Sequence, residues 1–268
     1  MNMRTLRFGL IISLLWVLLA AFGIAAAQDE PPQLTIPILV DGEEVEGAFS
    51  ENITAVLYSF IGSEGDAVTI SVEALTDDLD MYLVLLGERG EIHASNDDTN
   101  GLDPVIEVEL PQDGGYFIFL TRYGPWDEVQ GRDEEYRLEL TGNTPPDGAD
   151  PDSITYYRGD VEGSGSAEAE ITLQEPVYYF AFTGQAGDVV NIDVSSSDFD
   201  TALHLFQSDG ARVAANDDSN NSTDSAIVAF ELPEDGRYLF FVTTVYILDL
   251  EGAGDSKVGA FELNFSLK

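Results

Sequence analysis

The chain has 268 residues, and its 50 Asp and Glu against 11 Lys and Arg give a formal net charge of −39. Charge of that sign and size excludes nucleic acid and anionic membrane as partners and makes cations the natural counter-charge. Cysteine is absent, so stability must come from core burial, aided by any bound metal, and from no disulfide.

Residues 1–27 read as an export signal: Arg4 and Arg7, an apolar run from Phe8 to Ile24, and the small-residue site Ala25-Ala26-Ala27. Cleavage there leaves 241 residues (268 − 27), enough for two domains, in a protein that is secreted, extracellular or of the cell envelope. Phe8 to Ala27 nearly spans a bilayer, so an uncleaved anchor is the alternative, and only then does a membrane become a partner. Residues 28–33 are a short lead-in.

The first domain is expected over 34–142. Its apolar residues alternate at Val68, Ile70 and Val72, at Ile106, Val108 and Leu110, and at Tyr136, Leu138 and Leu140. With Gly, Asp and Asn between the sets, this period of two predicts short antiparallel strands in a sandwich or barrel. No helical period follows residue 27. Residues 143–152, with three prolines, read as a semi-rigid linker. A second domain over 153–268 ends in a strand alternating at Phe261, Leu263, Phe265 and Leu267.

The two domains are copies. Asp78 to Asp98 recurs as Asp198 to Asp218: an Asp-x-Asp step (Asp78 and Asp80; Asp198 and Asp200), a hairpin with Gly90 or Gly210, then Asn96-Asp97-Asp98 or Asn216-Asp217-Asp218. Gly65-Asp66 matches Gly187-Asp188. Leu110-Pro111-Gln112-Asp113-Gly114-Gly115-Tyr116 matches Leu232-Pro233-Glu234-Asp235-Gly236-Arg237-Tyr238, in which proline ends a strand, Asp-Gly turns and tyrosine opens the next strand.

Taken in this order, these parts resemble the bacterial pre-peptidase C-terminal domain, a β-sandwich appended to secreted proteases and other exported enzymes. The resemblance covers nearly all of both units. It implies an all-β protein of two tandem jelly-roll-like antiparallel β-sandwich domains, each of about eight strands, and its relatives include calcium-binding collagenase domains. Members usually accompany a catalytic domain, and these residues leave no room for one, so the expectation is a stand-alone pair of modules.

The acids are the candidate site. Residues two apart on a strand share a face, so Asp78 with Asp80, and Asp198 with Asp200, are expected to present paired carboxylates. The hairpin should bring Asn96, Asp97 and Asp98, or Asn216, Asp217 and Asp218, to the same end. Converging carboxylates repel by about 4 kcal/mol per pair at 4 Å and an effective dielectric of 20. Calcium, up to one ion per domain, suits such oxygen donors; the competing reading is that the acids cap turns.

Tyr123 and Trp126, and Tyr246 in the second copy, lie in loops that either contact a ligand or close the end of the sandwich. His93 and His204 do not correspond between the copies, and no nucleophile or zinc motif is present. The expected function is therefore a non-catalytic, calcium-stabilised module that binds an extracellular protein or polysaccharide. The alternatives are a carbohydrate-active enzyme built on paired carboxylates and a purely structural cell-envelope protein.

Overall fold

The computed structural model describes residues 36–123, 133–149, 159–220, 222–247 and 257–268. The export signal, the lead-in, Trp126 and residues 150–152 of the linker lie outside them. No α-helix occurs among the described residues, which carry 17 β-strands.

The first half has eight strands: β1 (Glu43–Phe49), β2 (Ala55–Gly62), β3 (Ala67–Ala74), β4 (Met81–Gly87), β5 (Ile92–Asn96), β6 (Val105–Glu109), β7 (Gly114–Arg122) and β8 (Glu134–Thr141). They form two antiparallel sheets ordered β1-β8-β3-β6 and β2-β7-β4-β5, the strand exchange of a jelly roll. The second half opens with the two-residue β9 (Gly159–Asp160) and repeats the pattern. Its strands are β10 (Ser164–Ile171), β11 (Tyr178–Gly184), β12 (Val189–Ser195), β13 (Thr201–Phe206), β14 (Arg212–Asn216), β15 (Ser225–Glu231), β16 (Gly236–Thr244) and β17 (Gly259–Leu267). Its sheets are ordered β10-β17-β12-β15 and β14-β13-β16-β11-β9.

The sequence motifs hold the turns. Tyr116 donates its hydroxyl proton to the Gln112 carbonyl at 2.7 Å and Tyr238 to that of Glu234 at 2.8 Å. Asp113 and Asp235 each accept a backbone N–H, from Glu64 and Ala186, both at 2.8 Å. The start of the predicted linker is tied to the first sandwich: buried Asn143 donates its amide to Ile61, and Asp66 accepts the Thr144 N–H at 2.6 Å.

Each half has the core that its alternating strands call for, one built on residues such as Phe60, Ile70, Leu83 and Leu138, the other on Phe182, Ile192, Leu205 and Leu263. A third core lies between the halves. Ala55, Leu57, Val84, Leu86, Phe117 and Phe119 of the first pack against Val177, Tyr179, Ala181, Phe206, Leu239 and Phe241 of the second. The β2-β7-β4-β5 sheet and its counterpart are thus covered on both faces, and every residue of β4 and β13 is buried. Residues 32–268 consequently make one compact unit.

The contact between the halves is reciprocal. Gly90, in the β4–β5 hairpin, accepts the Val177 N–H at 3.3 Å, and Gly210, in the β13–β14 hairpin, accepts the Leu57 N–H at 2.8 Å. Both glycines have positive φ, +89° and +84°, and a Cβ on either would overlap the carbonyl oxygen of its partner, Val177 or Leu57. Glycine is needed twice over, for the turn and for the close approach. Phe119 sits edge-on to His204, Phe206 and Phe241, with centroids 5.7, 6.2 and 5.9 Å away.

Phe119→Ala should therefore cost about 3 to 5 kcal/mol, the range for a buried phenylalanine. In urea, tryptophan-independent probes placed in each half should lose structure in one shared transition. Two separated transitions in the wild type would show that the third core does not couple the halves.

Candidate functional site

Asp80 and Asp200 each stand one residue before an inner strand, β4 or β13, and not within it. The alternation argument for the Asp-x-Asp pairs consequently fails. Asp78 lies in a turn with φ of 63° and is exposed. Asp198, also exposed, accepts the Ser197 hydroxyl at 3.1 Å and the Ala260 N–H at 3.2 Å, so it caps the start of β17.

The remaining acids do approach one another. Burial pushes the Asp80 carboxyl above the usual aspartate range, Asp98 and Asp97 push it further, and Arg122 pulls it back. Burial likewise raises Asp200, with Asp218 and then Asp217 adding to the shift. Oδ1 of both Asp80 and Asp200 is buried without a hydrogen-bond partner. The same orphaned oxygen thus appears at the matched position of each copy.

Asn96 and Asn216 are otherwise engaged. Asn96 Oδ1 accepts from the Thr99 hydroxyl at 2.8 Å and the Val105 N–H at 3.0 Å; Asn216 Oδ1 accepts the Ala226 N–H at 2.7 Å. Each amide thereby guides the chain from an inner sheet to an outer one. Among the described residues, no three carboxylates or imidazoles form a ready-made metal cage.

The two acid clusters differ in one neighbour. Arg122 ends β7 beside Asp80 and is ion-paired with the buried Glu134 at 2.7 Å. Its counterpart at the end of β16 is Thr244, a buried hydroxyl that accepts the Tyr246 N–H at 3.3 Å. The second cluster therefore lacks the neutralising guanidinium of the first.

The aromatic loops begin at these clusters. Asp80 accepts the Tyr123 N–H through its backbone carbonyl at 3.0 Å, and Asp200 accepts that of Val245 at 3.2 Å. Half-exposed Tyr123 stacks on Tyr82 with centroids 6.2 Å apart, and exposed Tyr246 carries the Lys257 ammonium 4.0 Å above its ring. Trp126 lies outside the described residues.

In the sequence His204 stands out only as a histidine without a counterpart, and Arg212 does not stand out at all; both are buried. His204 and Arg212 lie in the contact between the halves, 3.0 Å apart, and Arg212 also donates to Thr54 of the first half. Burial holds His204 well below its ordinary value, with Arg212 adding to the shift, and lowers Arg212 to about 10. The available signal was that His204 lies inside the otherwise apolar run of β13, since such a run marks a sheet buried on both faces; no local pattern marked Arg212.

A model of the bacterial pre-peptidase C-terminal domain matches residues 54–121 and 176–244, just over half of the chain. A probable subtilase-type serine protease of Deinococcus radiodurans is 38% identical over a 97-residue alignment that covers 31% of this chain and 13% of that protein. The chain thus spans only a small part of the curated relative it matches. Among solved structures, the pre-peptidase C-terminal domain of a Bacillus anthracis collagenase is 17% identical, with a TM-score of 0.34 over 42% of this chain and all of its own. Aeromonas hydrophila PliG, a periplasmic inhibitor of g-type lysozyme, is 14% identical, with a TM-score of 0.29 over 41% of this chain and 94% of its own.

A carboxyl whose folded pKa is raised holds its proton more tightly in the native state than in the unfolded chain. Its cost is absent below the unfolded value and complete above the folded one. In metal-free buffer, Asp200→Asn should raise the melting temperature at neutral pH, and the gain should vanish as pH falls below the ordinary aspartate range. A gain of equal size at every pH would assign the effect to packing.

Proposed function

The chain belongs to the bacterial pre-peptidase C-terminal domain family, which it carries in two copies, and we propose that it is a secreted, non-catalytic module that binds an extracellular protein or polysaccharide and is stabilised by calcium. Domains of this family are non-catalytic C-terminal parts of peptidases, which favours a binding role over chemistry. The observation that carries the calcium reading is the orphaned Oδ1 at both Asp80 and Asp200.

Asp80 with Asp97 and Asp98, and Asp200 with Asp217 and Asp218, would hold the ion. It would supply the positive charge that lets these carboxylates stay ionised side by side. The asparagine oxygens are engaged elsewhere, so further donors would come from backbone carbonyls and water, as calcium accepts. The second cluster, with Thr244 in place of Arg122, should bind more tightly.

The ligand contact follows from the same geometry. Because the backbones of Asp80 and Asp200 receive the first N–H groups of the aromatic loops, a cation held there fixes the strand end from which Tyr123 and Tyr246 are presented. Binding of a protein groove or sugar by these rings would then depend on calcium.

Calorimetric titration of the full chain with calcium should give a saturable heat and a raised melting temperature. Asp217→Ala with Asp218→Ala should remove the tighter phase, and calcium should strengthen retention on a glycan or protein array. An isotherm unchanged by the double substitution would leave these acids as turn caps.

A further inference from the structure

The outer sheets of the two halves differ in charge at the position of Arg137. In the first, Arg137 of β8 lies in register between Glu46 of β1 and Glu73 of β3. Its guanidinium donates to Glu46 Oε1 at 2.9 Å and Glu73 Oε2 at 2.8 Å. This bridge edges a groove of about 370 Å³ lined also by Ser71, Asn100 and Asp103.

In the second half the Val194–Leu263 pair stands where Val72–Leu138 stands in the first. Glu262 therefore takes the position of Arg137, Glu168 that of Glu46 and Ser195 that of Glu73. Asp224 matches Asp103: Asp103 accepts the N–H of Ala74, and Asp224 that of Ser196, at the end of the equivalent strand. A groove recurs here too, about 420 Å³, lined by Glu168, Ser195, Asp224 and Glu262.

The cation is missing from this second groove. Glu262 faces Glu168 directly across the strand pair, both are exposed, and neither carboxylate has a hydrogen bond or ion pair among the described residues. Like charges placed opposite each other on a sheet are unfavourable. The first half shows what relieves the equivalent position, a planar guanidinium whose two edges reach acids on either side.

We propose that the groove of the second half binds an arginine side chain of a protein partner, seated where Arg137 sits in the first half. The chain's charge of −39 steers such a partner towards it. The Glu168 and Glu262 carboxylates accept the guanidinium N–H groups, and the Ser195 hydroxyl offers a further acceptor at the position of Glu73. This deepens the reading of the chain as a binding module and is independent of calcium.

The test uses the full chain and a short amidated arginine-rich peptide, with its lysine counterpart, titrated at physiological ionic strength. Glu262→Arg installs the internal guanidinium and should weaken the arginine peptide by about tenfold or more, as juxtaposed like charges do. Glu109→Arg, an exposed acid on β6 with the same change of net charge, should leave it nearly unaltered. Glu168→Gln should weaken it without adding a charge that could disturb folding, and Arg137→Glu should open the first groove and add a second peptide per chain. Equal loss from Glu262→Arg and Glu109→Arg, or equal affinity for the lysine peptide, would overturn the site. Calcium heats measured on Glu262→Arg should match wild type, so failure of arginine recognition and failure of the calcium reading are read separately.

Discussion

The structure depends on burying both faces of its two inner sheets. An antiparallel sheet usually packs one face on a core and wets the other, which gives strict alternation along its strands. Here β4, β7, β13 and β16 are buried almost throughout, so neither jelly roll is finished by its own outer sheet. The remaining apolar face of each can be removed from water only by the other, and the hairpin glycines at 90 and 210 allow the backbones to close to hydrogen-bonding distance. Arg212 and His204 are polar exceptions inside this contact. Their link to Thr54 across the halves fixes which residues meet, where apolar packing alone would tolerate sliding.

This division of labour also explains how so acidic a chain folds. The outer sheets alternate, as in β3 and β17, and their wet faces carry Glu46, Glu73, Glu168 and Glu262. The inner strands carry almost no charge. Self-repulsion is thus spread over the two outside layers and the strand ends, while three separate cores oppose it.

The fold was legible because its signals are local. Period-two sets at Val68–Val72, Ile106–Val108 and Phe261–Leu267 fall on β3, β6 and β17, and the Pro-x-Asp-Gly-x-Tyr turns hold by the bonds that such residues usually make. The third core was legible in principle, since Met81–Gly87 and Thr201–Phe206 do not alternate, but a continuous apolar run does not say which surface covers it. The site was read less well. Asp78 and Asp80 look like a strand pair only if the strand includes them, and a positive φ at Asp78 places that residue in a turn. A period cannot reveal where a strand begins.

Comparing the copies separates residues that build the module from residues that set its charge. Positions that shape turns keep their chemistry, as Tyr116 and Tyr238, Asn96 and Asn216, and Asp66 and Asp188 each repeat one bonding pattern. Positions that carry positive charge do not: Arg122 becomes Thr244 and Arg137 becomes Glu262. Both losses fall in the second half and both leave carboxylates facing one another. A duplicated scaffold can bear this because each half is held by its own core and by the shared one, so a few tenths to about 1 kcal/mol of unrelieved surface repulsion per pair does not threaten the fold. The first half thus neutralises its acids with its own arginines, and the second leaves the corresponding places for charge supplied from outside.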